Sequence, residues 1–520
     1  MKKNYIFLAA LAMQMLPASA QDTYQSAKLI ENDLNGTARY VGMGGAMEAL
    51  GADISTMSTN PAGIGLFRNS QVSLSGGLLF QTGADNKVRY NDSEINFNGK
   101  KTNLSFDQIG IVWTMPAANR RSFLNIGFNY RKSRNFDQIL TAANDLGGAS
   151  QNRLTAIKYN YNVTKKKNEY QLPWNGVDAN YEGCMAKDDQ GFMDYLGGQY
   201  FLTGQYAKGY IGEYSLNFSG NLNDRIYLGA TVGIHDVNYR NNSIYAEALE
   251  QNNSASTWES LSIDGQGYDV KVGAIFRPIE YSPFRIGVYF NSPVFYDLTM
   301  SSATDLTMVG EGDKRAEQGQ KADYDFCLNT PAKFGISLGH TIGQSLALGA
   351  TYEYSDYSWL DNRIKGDGYI NYYGDYVENS YSDRAMKENT KQVLRGVHTL
   401  KLGVEYKPFS SLALRAGYNL MTGAYKMNGF RDGSIDSPGA LYATSTDYTN
   451  WKSTNRVTLG VGYSAKRFFI DLAYQLSSTS GEYYPFMAYY GEKKSDDNVP
   501  NATKVDVDRN QLLLTLGFKL

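Results

Sequence analysis

Three histidines, His235, His340 and His398, are the only imidazoles in 520 residues. General-base or metal chemistry needs such groups clustered with a nucleophile or with further ligands. Here they are scattered, and none lies near a G-x-S-x-G run. No catalytic or metal-ligating set is expected, and no cofactor. The glycine-rich run "GMGGAMEALG" (Gly42–Gly51) has the look of a phosphate loop. It follows no strand of a βαβ unit, so nucleotide binding is not expected. What remains is charge. Arg131, Lys271, Arg285, Lys401, Glu405, Arg415 and Asp471 alternate with apolar neighbours. Arg131, Arg285, Lys401 and Arg415 are candidates to hold a carboxylate head group, since charge-assisted bonds to carboxylate are strong. The competing expectation is that such cations pair with Glu405, Asp471 or another internal carboxylate.

The elements that position these charges are strands. In "RIYLGATVGIHDV", Ile226, Leu228, Ala230, Val232 and Ile234 share one face, and Tyr227, Gly229, Thr231, Gly233 and His235 the other. "SLALRAGYNL" and "RFFIDLAYQL" repeat the pattern, which is the period of a β-strand. Fourteen such segments lie near 69–80, 104–114, 122–132, 211–220, 225–238, 267–277, 283–291, 331–341, 345–356, 398–407, 411–421, 455–465, 467–477 and 511–520. Several span about ten residues, enough to cross a bilayer at a tilt.

Short turns such as "NLND", "TIGQ" and "AK" alternate with long connections at 81–103, 133–210, 239–266, 292–330, 357–397, 422–454 and 478–510. That rhythm predicts an all-β fold: a transmembrane antiparallel up-and-down β-barrel of about 14 strands, with short turns at the periplasmic rim. Tyr406, Tyr418, Tyr463, Tyr474 and Phe518 end the apolar faces, as an interfacial aromatic girdle would. The opposite faces are too small and polar for a sandwich core. A monomer embedded in outer-membrane lipid is expected, delivered by barrel-insertion machinery that reads the final strand.

The flanks agree. Residues 1–20 have two lysines, an apolar core and "ASA", the form of a signal peptide cleaved after Ala20. A net charge of −2 argues against nucleic acid. Cys184 and Cys327 either pair or stay as thiols; the sequence does not choose. The run "VTKKKNEY" (Val163–Tyr170) is expected to be a solvated loop. Residues 21–67 do not alternate. A short helix over Thr23–Tyr40, a small-residue run and Asn60-Pro61-Ala62-Gly63 predict a compact plug inside the barrel, leaving 68–520 as the wall with a long outer loop at 133–210.

At this point "GGAMEALGADISTMSTNPAGIG" (Gly44–Gly65) resembles the hatch signature of the FadL-type outer-membrane transporters (FadL/TodX-like) of long-chain fatty acids and other hydrophobic compounds. "FRIGVYFNSPVFYDL" (Phe284–Leu298), "NTPAKFGISLGHTIGQSLALGATYEYSDYSW" (Asn329–Trp359), "LKLGVEYKPFSSLALRAGYNL" (Leu400–Leu420) and "RVTLGVGYSAKRFFIDLAYQ" (Arg456–Gln475) are similar too. The resemblance implies passive uptake of a hydrophobic small molecule, with no energy coupling. It makes Asn60, Pro61 and Ala62 the hatch motif, near an inward kink of the third strand. Gly127 is the expected kink. Many barrel proteins end in Phe; here the final strand ends in Leu520 with Phe518 two places back. Two other functions compete: a FadL-like scaffold or secretion partner that binds proteins through its outer loops, and an open general porin.

Overall fold

The computed structural model describes residues 22–117, 121–165, 169–310, 314–437, 443–491 and 493–520. The expected signal peptide, most of the turn after Pro116 and residues 166–168 of the lysine run lie outside them. Fourteen strands form the wall. They are β1 (Gln71–Thr82), β2 (Thr102–Pro116), β3 (Phe123–Asn135, resuming as Gln138–Asp145), β4 (Gly198–Leu222), β5 (Ile226–Leu249), β6 (Ser254–Phe276) and β7 (Arg285–Asn291, resuming as Phe295–Gly310). Then follow β8 (Lys314–Asn329, resuming as Lys333–Ile342), β9 (Leu346–Asp356, resuming as Asp361–Lys365), β10 (Gly396–Phe409), β11 (Leu412–Met421), β12 (Tyr448–Ser464), β13 (Phe468–Tyr484) and β14 (Thr503–Lys519). Every neighbour is antiparallel, and β1 pairs with β14 from Gln71↔Lys519 to Thr82↔Asp508. The ring is therefore closed, which removes the free edges that hydrocarbon forbids.

Alternation sets the two faces. Outward positions such as Leu216, Leu228, Val272, Ile336, Leu402, Leu459, Leu472 and Leu514 are exposed and apolar. They form a continuous belt, with Tyr406, Tyr463 and Phe518 near the short-turn rim and Tyr214, Tyr268, Tyr352 and Tyr474 near the other edge. Such a belt buries its area only in lipid, so the strands span a membrane. No helix among the described residues is long and apolar enough to cross one.

All fourteen expected segments are strands, but the outer ends run on. The connection expected at 239–266 is the outer half of β5 and β6, which stay paired from Asp236↔Gln266 to Ala248↔Ser254. The connection expected at 292–330 is mostly a β7–β8 hairpin extension. Beyond the membrane both faces meet protein or water, so the apolar–polar contrast that marks a strand fades. The loop at 133–210 likewise holds the outer half of β3, the start of β4 and two helices, α3 (Gln151–Thr164) and α4 (Gly176–Cys184). These helices lock through a buried Lys158–Asp178 pair at 2.7 Å. Both cysteines are free. Gly183 of α4 sits over Gln318 of β8, whereas Cys327 lies farther down that strand opposite Asp297.

Residues 22–67 are almost wholly buried inside the ring. The helix expected across Thr23–Tyr40 is two short ones, α1 (Thr23–Lys28) and α2 (Ala38–Gly42), with an extended run between them. Asp22 caps the first through Tyr24 N (2.8 Å), and Thr37 the second through Tyr40 N (3.1 Å). Small residues explain the close fit. An added Cβ on wall Gly417 would lie 2.1 Å from Gly44 N, and one on Gly403 2.3 Å from Met43 O. The "GMGG" backbone lies directly on the wall, and Gly44 and Gly45 take positive φ (62° and 80°) to stay there.

Candidate functional site

The Asn60–Gly63 motif opens a 3₁₀ turn, Pro61–Leu66. Asn60 accepts from Ala62 N (3.2 Å) and donates to Glu48 O (3.1 Å), tying two turns of the plug together. Pro61 O accepts from Ser219 of β4 (2.8 Å). Inward glycines make the seat: a Cβ on Gly229 would meet Pro61, and one on Gly273 would meet Asn60. The motif is a fastener between plug and wall.

Gly127 is not a kink. It pairs in unbroken register with Val112 on one side and Asn217 on the other. Its missing side chain receives Met57 of the plug, whose Cε would be 2.0 Å from an added Cβ. The irregularity of the third strand lies farther on. Pairing of β3 with β2 ends at Gln108↔Arg131, and the β3–β4 register slips between Lys132 and Arg134. The chain then breaks at Phe136-Asp137 opposite Gly209, whose φ is +110°.

That leaves a seam between β2 and β3, and Leu104 beside it is 87% exposed, more than any other apolar side chain of the belt. The extended run of the plug closes the seam from inside. Asp33 N donates to Ser133 O (2.8 Å), and Asn135 N donates to the Asp33 carboxylate (2.8 Å). Asn35 donates to Asp107 of β2 (2.8 Å) and to Lys132 O (3.1 Å). Asp33 thus stands in for part of the strand that β3 has lost. Its carboxyl is buried, which alone would raise its pKa. Arg134, Arg509 and Arg456, with the Asn135 hydrogen bond, outweigh that and hold it below the usual carboxylate range.

Behind the seam is a chamber with one aromatic wall and one polar wall. Tyr24 of α1 stacks on Tyr425 (5.2 Å between centroids) and leans on Tyr448 (4.9 Å). Phe136, Tyr239, Leu261 and Trp451 complete a cavity of about 100 Å³. A second cavity of about 70 Å³ adjoins it, lined by four cations, Lys28, Arg134, Arg456 and Arg509, and two carboxylates, Glu31 and Asp33. Arg134 pairs with Glu31 (3.0 Å) and Asp33 (3.3 Å), and Arg509 with Asp33 (3.8 Å). Arg456 is buried, donates to Asn419 (3.1 Å) and has no carboxylate within 4.0 Å among the described residues.

The four expected head-group cations are all engaged elsewhere. Arg131 pairs with Glu213 (2.9 Å), Lys401 with Glu48 of the plug (2.9 Å), and Arg415 with Glu405 (2.6 Å) and Asp471 (2.5 Å). Arg285 donates to Leu50 O of the plug (2.9 Å). Held in low dielectric by complementary groups, Arg131 and Arg415 join wall strands and Lys401 and Arg285 join plug to wall, so they offer a ligand little. Arg456 was missed although its signal was present: it sits in phase with Thr458, Gly460 and Gly462, on the inward face of β12. Arg509 was missed in the same way, in phase with inward Val505 and Val507 of β14, whereas Arg134 and Lys28 carried no such signal, since their segments do not alternate. His235 faces inward beside Asp269 (3.3 Å), and His398 faces outward, 2.6 Å from the Tyr352 hydroxyl.

No family model matches the chain, and no curated protein matches it. Solved structures of similar shape include a FadL homologue of Pseudomonas aeruginosa, with 13% identity over 94% of this chain and 99% of that one, at a TM-score of 0.49. The toluene transporter TodX of Pseudomonas putida has 11% identity, 94% and 99% coverage and a TM-score of 0.48. The toluene transporter TbuX of Ralstonia pickettii has 12% identity, 94% and 98% coverage and a TM-score of 0.47.

Proposed function

We propose that this chain is an outer-membrane channel for the passive uptake of hydrophobic small molecules, with residues 21–67 as its hatch. One observation carries the reading: a chamber with an aromatic wall lies directly behind a seam in the barrel, and the plug, with a Lys132–Ser105 hydrogen bond (2.8 Å), closes that seam. An aromatic or alkyl cargo packs against the Tyr24, Tyr239 and Leu261 wall of the chamber, and Lys28, Arg134, Glu259, Arg431 and Asp447 on its other side meet any polar end. Arg456 supplies the anchor for a carboxylate where the cargo has one, as a long-chain fatty acid does. Release runs sideways. When the Asp33–Asn35 run withdraws from β3, the chamber opens toward the lipid at Leu104, and an apolar molecule partitions into the bilayer at about 0.8 kcal/mol per CH₂. The short-turn rim then faces the periplasm, and the α3–α4 end the outside. The energetics need no motor, because the gradient and the partition both run downhill.

The test is gentle extraction followed by native mass spectrometry. Wild type is expected to carry one apolar ligand per barrel. The Asn60→Ala, Pro61→Ala double variant, whose plug loses its fastening and with it the α1 side of the chamber, is expected to lose that ligand. A barrel that is empty in both forms and instead retains a protein would overturn the proposal.

A further inference from the structure

Helix α5 (Arg384–Val393) lies at the outer edge of the apolar belt, between β9 and β10. One face is committed. Met386, Asn389, Thr390 and Val393 are buried, and the Thr23 hydroxyl of α1 contacts Asn389 Oδ1 (2.8 Å) and Thr390 Oγ1 (3.0 Å). The opposite face carries Arg384, Lys387 and Lys391, at i, i+3 and i+7 and so on one stripe. Arg395 extends the stripe, and Lys426 joins it by donating to Lys391 O (2.5 Å). Five cations therefore share one patch. Among the described residues only two carboxylates answer them, Glu388 to Lys391 (2.8 Å) and Asp361 to Lys387 (3.6 Å).

The height of the patch matters as much as its charge. Arg395 immediately precedes Gly396, where β10 enters the wall, and His398, Leu400 and Leu402 then face outward into the belt. Met427, 97% exposed, stands next to Lys426. Long cations over an apolar neighbour at the end of a lipid belt have the arrangement of side chains that keep their stems in the interface and their heads among phosphates. The rim does not carry this charge all round: β6, β7 and β8 carry Asp264, Asp297, Asp323 and Asp325, with Arg240 and Lys365 only matching Asp264 and Asp297 one for one. An amphipathic helix facing only water has no reason to gather its cations at this one height and side.

We propose that the outer face of α5, with Arg395 and Lys426, binds the phosphate groups of an anionic lipid in the surrounding leaflet. This rests on the barrel lying in an outer membrane with its long loops outward. The bound lipid would sit against the helix whose inner face holds α1, so that the leaflet braces the roof of the chamber.

The experiment uses the full barrel in zwitterionic phosphatidylcholine nanodiscs, titrated with a bisphosphorylated lipid A and read by native mass spectrometry. Lys387→Gln, Lys391→Gln, Lys426→Gln is expected to weaken binding about a hundredfold, roughly fivefold per interfacial cation. Lys101→Gln, Lys452→Gln, Lys504→Gln, three exposed lysines at or beside the outer ends of β2, β12 and β14, should leave it unchanged. Heat-modifiable gel mobility verifies that both variants are folded barrels. Less than about threefold weakening, or equal binding of the dephosphorylated lipid, would overturn the proposal. Fractionation of the barrel with a different membrane would sink the outer-membrane reading, while the measurement in nanodiscs would still decide this one.

Discussion

Asp33→Ala should open the seam while leaving the barrel standing. The carboxylate accepts from Asn135 N and lies within 4.0 Å of Arg134 and Arg509. Truncating it strands a buried N–H, a loss of about 1–3 kcal/mol. It also removes the only carboxylate within 4.0 Å of the partly buried Arg509 among the described residues, and unpairing a fully buried charge would cost about 3–5 kcal/mol. Glu31 still holds Arg134, and water in the adjoining cavity offsets part of the rest. A net penalty of about 3 kcal/mol on the closed seam raises the open population roughly 150-fold. Hydrogen exchange followed by mass spectrometry reads this directly. Peptides covering 131–136 should exchange faster by about that factor, while peptides from β12 and β13 keep their protection. Asp33→Asn, which retains an acceptor but no charge, should fall between. Unchanged exchange at Ser133 and Asn135 would refute the latch. A uniform rise around the whole ring would show that the loss is global and that Asp33 serves only stability.

Three further outcomes follow from the same geometry. Because Asp33 is held below the usual carboxylate range, its stabilisation is present above the unfolded value of about 4 and disappears as pH falls through the lower folded value. Exchange at 131–136 should therefore be flat in opening free energy from pH 7 to about pH 4 and loosen only in stronger acid; loosening between pH 7 and 5 would contradict the assignment. Gly127→Val fills the space of Met57 Cε and should unseat the plug, seen as faster proteolysis of residues 22–67 with barrel mobility on gels intact. Arg456→Met should weaken retention of a carboxylate-bearing ligand by about tenfold or more, the worth of one charge-assisted bond, and leave a neutral aromatic ligand unaffected.

The wall was legible because inside-out alternation is a property of each strand by itself. Ile226 to His235 show which side is lipid without reference to any neighbour, and fourteen such segments with an even count imply closure. The plug was legible for a similar local reason: the glycines and alanines of Gly42–Gly51 are what a backbone lying on a backbone requires. The outer halves of β5 to β8 were not, because a strand wetted or packed on both faces has no alternation to show.

The site was harder to see because its chemistry depends on pairs. Arg131 and Arg456 give the same signal, an arginine in the inward phase of a strand. They differ only in company. Glu213 reaches Arg131 from β4, 82 residues along the chain, and among the described residues no carboxylate equivalent reaches Arg456. The seam has the same character. A kink was sought at Gly127 because glycine relaxes the backbone of its own residue. What opens the wall instead is the absence of a partner for the segment after Arg131, and an absent partner leaves no mark on Lys132 or Ser133 themselves. The trace it does leave is displaced a hundred residues away, in an Asp-Leu-Asn run that belongs to no helix and no strand. Buried backbone groups must be satisfied. An extended polar stretch inside a plug is therefore evidence that some strand of the wall has groups to spare, and Asp33 marks where.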